Sequence, residues 1–329
     1  MMSRIRTLLI LITGVVCLTG CEKSTNKFVP DAGQLTGPDN AWYNVISSSL
    51  PVTGLKNALA IIPVSDSFTV SNTTTNITTP SGLAFTFAPN TFVNSADQYV
   101  TGTIQQQTLV IKTKGDLIRA GLSTVADNQL LISEGSLFLA FSQNGSDVQL
   151  ANGAKYTVSY TTDSSIASTE TFTANQAGVD YFNWTANTDV TNDSISETND
   201  TTYAIISNNL KWMSFENLYD TNAIKTTVAI DMPSNFTNAT SVAYLVFNNI
   251  GSVVSLYGDA TSHIFSTTQI IPVGQQATMI VISKQGNDYY LGYQNFVTAT
   301  PSGTASAQIV SMLPVISSIG NIDAYLNSL

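Results

Sequence analysis

The stretch Leu83-Ala84-Phe85-Thr86-Phe87-Ala88-Pro89-Asn90 alternates large apolar side chains with small or polar ones and stops at a Pro-Asn pair. Successive side chains of a strand point to opposite faces, so a period of two puts Leu83, Phe85 and Phe87 on one buried side. The pattern recurs along the chain. Leu109 and Ile111 share a face, Leu137, Leu139 and Phe141 alternate up to Asn144-Gly145, and Tyr156, Val158 and Tyr160 follow Asn152-Gly153. Asn-Gly between alternating runs is a hairpin signal, because both residues tolerate the positive φ that a tight turn needs. Further on, Val228/Ile230/Met232, Val242/Tyr244/Val246, Met279/Val281 and Tyr289/Leu291/Tyr293 repeat the alternation, with Pro233 and Pro272 bounding strands where a missing N–H is tolerated. Strands about 8–12 residues apart predict sandwiches. The expected fold class is therefore all-β, with two β-sandwich domains. Ile319, Ile322, Tyr325 and Leu326 fall at helical spacing and predict a short C-terminal helix, while Lys114–Gly121 reads as an irregular single turn.

Ahead of the strands, Arg4 and Arg6 precede an apolar run from Leu8 to Leu18, followed by Leu18-Thr19-Gly20-Cys21. Cations, a short apolar segment and small residues before a cleavage point form an export signal. A Cys at the new N-terminus makes it a lipoprotein signal, with residues 1–20 removed and Cys21 acylated. Glu22 follows, rather than the aspartate associated with inner-membrane retention, so the expected location is the outer membrane, with its periplasmic and outer faces both open. Residues 21–50, rich in Ser, Thr, Asn, Gly and Pro, read as a tether. A first sandwich is expected over 51–161 and a Ser/Thr/Asn/Asp-rich linker with a partly packed segment over 162–209. Residues 210–329 are expected to form the second sandwich and its terminal helix.

The 329-residue chain carries a net charge of −10, and loss of the signal removes Arg4 and Arg6 and no acid. An acidic surface excludes nucleic acid as a partner and excludes electrostatic docking on anionic lipid. Attachment therefore falls to acyl chains on Cys21, two or more of which anchor stably. Of the two cysteines, Cys17 lies in the discarded segment, so the folded part has no disulfide and no thiolate metal site.

Several further stretches fall in a recognisable order: Gly82–Pro89, Val100-Thr-Gly-Thr103, Ile111–Thr124 with Lys114-Gly-Asp-Leu-Ile118, Leu130-Leu-Ile-Ser-Glu-Gly-Ser-Leu-Phe138, and Asn144-Gly145. Together they resemble the ZU5-like β-sandwich module of lipoproteins from Bacteroidota, a family of unknown function. Leu210–Phe215, Tyr244–Phe247 and Ile271–Gly274 are similar to the segment that follows this module, so the resemblance spans about residues 60–310. It departs at Ile132-Ser-Glu-Gly135, which keeps one glycine, and at Trp212-Met-Ser214, where the family tends to have Trp-x-Asn. The resemblance implies a fold and a compartment rather than an activity. Some ZU5-type domains resemble self-cleaving modules with a His-Phe-Ser triplet; in His263-Ile-Phe-Ser266 the inserted Ile264 breaks that spacing.

Catalytic motifs are sparse. His263 is the single histidine and sits in a polar loop; no G-x-S-x-G, H-E-x-x-H or P-loop occurs, and nothing implies a cofactor. Glycoside hydrolysis needs two carboxylates at a fixed separation, and Asp116 and Glu134 are the acids within the first module's motifs. Asp116 is more simply paired with Arg119 to pin a turn. Asp189, Asp193, Glu197 and Asp200 are weak calcium candidates, lacking the D-x-D-x-D-G loop. Among the aromatics, Trp212 reads as core, whereas Trp184 and Tyr181 beside the polar linker are the candidates for stacking on a sugar. The expected function is a membrane-anchored envelope lipoprotein with a non-enzymatic binding or structural role, such as adhesion or capture of a glycan or envelope protein. A carboxylate-based hydrolase acting on polysaccharide is the alternative.

Overall fold

In the computed structural model the described residues are 40–161, 169–174, 183–187, 194–199 and 202–329. Strands take up 50% and helices 9% of the described residues, so the fold is all-β, as the alternation predicts. The described residues belong to one compact unit.

The first sandwich uses β1 (Val64–Val70), β2 (Thr75–Thr78), β3 (Ala84–Phe87), β4 (Phe92–Val93), β5 (Gly102–Ile111), β6 (Val125–Ala126), β7 (Gln129–Gln143), β8 (Ser146–Asp147), β9 (Gln149–Leu150), β10 (Tyr156–Thr161), β11 (Glu170–Ala174), β12 (Thr185–Ala186), β13 (Ser194–Asn199), β14 (Thr202–Ser207) and β15 (Lys211–Leu218). One sheet has the order β1-β5-β7-β15-β11-β12 and faces a second of order β13-β14-β10-β3-β2. Asn144 and Gly145, both at positive φ, turn β7 into β8 as the Asn-Gly signal predicts. Between the sheets lie Phe68, Phe85, Phe87, Phe92 and Phe141 with Leu137, Leu139, Tyr156 and Val158, in a dense set of stacked and edge-on rings.

The second sandwich uses β16 (Lys225–Thr226), β17 (Val228–Asp231), β18 (Ser241–Phe247), β19 (Val253–Ser255), β20 (Tyr257–Asp259), β21 (Ile264–Ser266), β22 (Ile271–Pro272), β23 (Gln276–Gln285), β24 (Asp288–Val297), β25 (Gln308–Ser311) and β26 (Val315–Ser317). Its sheets run β19-β18-β23-β24-β26 and β20-β21-β17-β25, with β17 and β25 parallel. Val228, Ile230, Leu245, Met279, Val281 and Phe265 fill the space between them.

A third apolar layer joins the sandwiches. The opposite faces of the same central strands supply it: Leu109, Ile111 and Trp212 from one side, Tyr244, Val246, Ile280 and Ile282 from the other. Because both faces of β23 are covered, Ala277–Ser283 is buried without interruption and its sequence reads as a continuous run. Three helices wedge into the layer. They are α1 (Pro51–Leu59), α2 (Lys114–Arg119) and α3 (Ile319–Asn327). They contribute Leu55, Leu59, Leu117, Ile118, Ile322 and Leu326. Thr113 caps α2 through the Asp116 N–H and Ser318 caps α3 through the Asn321 N–H, each satisfying an otherwise unpaired first-turn donor. The helices touch so closely that a Cβ on Gly115 would lie 1.9 Å from the Leu326 carbonyl oxygen.

Polar stitches complete the joint. The Thr124 N–H donates to Val253 O at 2.7 Å, the Ser133 N–H to Gly251 O at 3.0 Å, and Ser252 Oγ to Leu131 O at 2.6 Å. Lys114 Nζ donates to Phe247 O at 2.6 Å and Asn248 O at 3.2 Å. Burial lowers the pKa of that ammonium.

The structure corrects four expectations. Pro51–Leu59 is helix, not the start of the strands: Pro51 presets the first turn, and Val52, Leu55 and Leu59 share a buried face. Lys114–Arg119 is likewise a capped helix rather than an irregular turn. The expected linker 162–209 holds β11, β13 and β14, each paired within the first sandwich, and β15 completes that sandwich by pairing with β7 instead of opening the second. Their Ser/Thr content suits a half-exposed pleated surface as well as a linker. Within the expected tether, residues 40–50 are docked: the Asn238 side chain accepts from Tyr43 N–H at 2.9 Å and donates to Tyr43 O at 2.7 Å.

Leu326→Ala removes a fully buried side chain from the layer and is expected to cost about 2–5 kcal/mol in urea unfolding. A loss below about 1 kcal/mol would mark α3 as peripheral.

Candidate functional site

The chemically distinctive place in the molecule is a pair of carboxyl groups at a bulge where β7 meets β15. Phe215 opposes Gly135 and Glu216 opposes Ser133, which leaves Glu134 as the extra residue. Gly135 has φ +134°, and a Cβ there would fall 1.9 Å from Tyr160 Oη. That hydroxyl donates to Glu134 O at 3.0 Å. Only glycine meets both demands, so the bulge is built into the chain at this position.

Trp212, Ser214 and Glu216 alternate with the inward-facing Met213 and Phe215, so Glu216 faces the layer between the sandwiches. It is fully buried. Ser214 Oγ lies within reach of Ser136 Oγ at 2.8 Å, of Gly135 O at 3.1 Å, and of Glu216 Oε1. The Ser136 hydroxyl can itself donate to Ser214 Oγ, which leaves the one Ser214 proton facing Gly135 O and Glu216 Oε1; a protonated Glu216 donating to Ser214 Oγ satisfies both. Burial pushes the Glu216 carboxyl up to about 8, with Glu134 adding a like charge and the Ser214 and Ser133 hydroxyls pulling the other way. Half-buried Glu134 is pushed up to about 7, also by desolvation. Among the described residues neither has an ion-pair partner. Two acids with raised values resemble the divided roles of a hydrolase. Yet Glu216 has no exposed surface with which to meet a substrate, so the arrangement stores a proton inside the joint.

Two clefts lie elsewhere, each bordered by the second sandwich. One of about 330 Å³ is lined by Tyr43, Val52, Lys56, Asn238, Tyr244 and Tyr257, among others. The other, about 500 Å³, has Trp42, Met232, Phe236, His263 and Phe265 in its wall. Neither contains a carboxylate. His263 is exposed, at φ +56°, with its ring stacked on Trp42 at 5.9 Å and 11°. Phe265 sits 5.1 Å from the same indole, so both neighbours are aromatic packing. Close by, Asp259 is held below the usual carboxylate range by the Thr261 N–H and the Ser262 hydroxyl.

The residues singled out from sequence fall variously. Trp184 is fully buried in the central layer, and its backbone N–H donates to Val125 O at 2.8 Å; it is a packing residue, not a sugar platform. Its polar neighbours misled the reading, because a bridge between Ala126 and Trp184 folds the segment inward. Cys21, Tyr181, Asp189, Asp193 and Asp200 lie outside the described residues, and Glu197 sits in β13 opposite Tyr203. Asp116 does pair with Arg119, at 3.3 Å, and Arg119 also reaches Asp323 and Asn327, tying α2 to α3. Glu216 escaped notice because Ser214-Phe215-Glu216-Asn217 ends a strand in a pattern indistinguishable from a solvated edge. Among the described residues no group of three or more His, Cys, Asp or Glu is placed to hold a metal, and no helix is long and apolar enough to cross a membrane. No protein-family model matches the chain, and no curated protein matches it.

A carboxyl whose folded pKa lies above its unfolded value favours the folded state fully below the unfolded pKa, and that contribution is lost as pH rises through the folded one. For Glu216 the window runs from about 4.5 to about 8. Thermal melts of the wild type should weaken steadily across it, whereas Glu216→Gln should keep only the shallower loss that Glu134 contributes up to about 7 and be the more stable protein at pH 9. Parallel profiles for the two proteins would contradict a buried neutral Glu216.

Proposed function

We propose that the chain is a lipid-anchored lipoprotein of the cell envelope, exported by residues 1–20 and held by acyl chains on Cys21, with a binding or structural role rather than an enzymatic one. The observation that carries the reading is Arg4/Arg6, the Leu8–Leu18 run and Leu18-Thr19-Gly20-Cys21 in the order an export-and-lipidation signal requires. The resemblance of residues of about 60–310 to ZU5-like modules of envelope lipoproteins supports the same compartment. A disulfide-free body stitched across two sandwiches suits a rigid presenting module, with a glycan or an envelope protein as its partner at the outer membrane. The alternative is a carboxylate-based hydrolase, favoured by the raised pKa of half-buried Glu134. It is disfavoured by clefts that lack a pair of acids.

Cells fed labelled palmitate test the anchor. The wild type should carry label and partition with membranes, whereas Cys21→Ala should remain an unlabelled precursor. Label on Cys21→Ala, or none on the wild type, would sink the reading. Protease shaving of intact cells then separates the two faces: peptides from residues 60–310 support surface capture, and protection until the outer membrane is broken supports a periplasmic scaffold.

A further inference from the structure

The cleft of about 330 Å³ is built from parts far apart in the chain. Val52 and Lys56, one turn apart on α1, form one wall, and Leu256 and Tyr257, where the chain passes from β19 to β20, form another. Segment 43–46 closes a third side, with Tyr43 and Ile46 packed on Leu50, Val52 and Ala239. Asn238 holds the Tyr43 backbone at both its N–H and its carbonyl, and the same amide nitrogen donates to Gly258 O at 3.1 Å. A Cβ on Gly258 would lie 2.7 Å from the Asn238 Cβ, so a glycine is what lets the segment sit this close. The cleft is therefore shaped before a ligand arrives, which lowers the ordering cost of binding.

Its chemistry is divided between floor and rim. The floor is apolar and dry: Val52, Leu256 and Phe265 are all buried. The rim carries exposed Lys56, half-buried Ser255 and Tyr257, which is 46% exposed on an edge strand. Among the described residues no hydrogen bond or ion pair engages Lys56 Nζ, Ser255 Oγ or Tyr257 Oη. Charge narrows what can enter. The lining holds one ammonium and no carboxylate, so it does not attract a cation, and a body of net charge −10 holds off a free anion. A neutral molecule remains, with an apolar face for the floor and hydroxyls for the rim. Its size is set by a volume near the low end of ligand pockets, ~300–1,000 Å³. A sugar ring has this division, with C–H groups on its flat faces and hydroxyls around its edge.

We propose that this cleft binds a short neutral oligosaccharide, with one sugar ring against Tyr257 and the Val52–Leu256 floor and its hydroxyls bonded to Lys56 and Ser255. The assignment deepens the binding role proposed above and rests on that role, not on the anchor at Cys21.

Isothermal titration of the chain beginning at Glu22, which keeps every described residue, tests it. The probes are trisaccharides of glucose, galactose, mannose and N-acetylglucosamine, beside trisaccharides of galacturonate and glucuronate. At least one neutral trisaccharide should bind with a Kd of about 1 mM or tighter. Tyr257→Ala and Lys56→Ala should each weaken that binding at least tenfold, while Tyr99→Ala, at a side chain 63% exposed elsewhere, should leave it unchanged. All three substitutions are at exposed positions, and unchanged thermal melts confirm that the variants fold. The proposal is overturned if no neutral trisaccharide binds at about 10 mM, if binding is confined to the uronates, or if either cleft variant leaves it intact. Such a failure strikes the glycan site alone, because the anchor is read separately by the palmitate label and capture of an envelope protein by cross-linking on intact cells.

Discussion

Everything in this fold depends on burying both faces of two sheets at once. A sandwich needs one apolar face per sheet. Here the sheet built on β5, β7 and β15 and the sheet built on β18 and β23 each carry two, and the second faces meet in a shared layer with α1, α2 and α3. Each fully buried Leu or Ile there contributes about 1.5–3 kcal/mol of transfer free energy relative to exposure. Neither sandwich can keep those side chains dry alone. The hydrogen bonds from Thr124, Ser133 and Ser252 across the joint fix its register, because an unpaired buried N–H or C=O would cost about 1–3 kcal/mol.

The carboxyl pair is a consequence of that constraint. Glu216 sits on the face of β15 that the second sandwich covers, and the bulge at Glu134 lets β7 bend past it while Gly135 makes room for Tyr160. A neutral carboxyl hydrogen-bonded to serines is tolerable in such a place; an ionised one without a cation is not. The joint therefore carries an acid whose protonation and burial are linked, and pH acts on the contact between the sandwiches rather than on the surface alone.

Much of this was legible from local pattern. Phe85 and Phe87, and Tyr156 and Val158, alternate because one face meets a core and the other meets water or small polar groups; Leu137 and Leu139 face the same core while Phe138 turns to the shared layer, and each lands where the period predicts. The terminal helix was legible for the same reason, from the spacing of Ile322 and Leu326. What escaped is non-local. Nothing in Lys211–Leu218 states that its partner is β7 rather than a later strand, and nothing in Thr202–Ser207 distinguishes a strand beside β10 from a polar connector. Trp184 looked exposed because its sequence neighbours are polar, while its burial is decided by Val125 and Ala126, far away in the chain. Glu216 is the sharpest case: its chemistry comes from what covers it, and burial by a distant sandwich leaves no mark on the residues beside it.

The most direct test of the central claim is native-state hydrogen exchange comparing β7 with β23. If the shared layer makes one cooperative body, the amides of Leu137 and Leu139 and those of Ile280 and Ile282 should exchange with the same opening free energy, and Leu326→Ala should lower both by the same amount. Sandwiches that open separately, with β23 keeping its protection while β7 loses it or the reverse, would contradict the account.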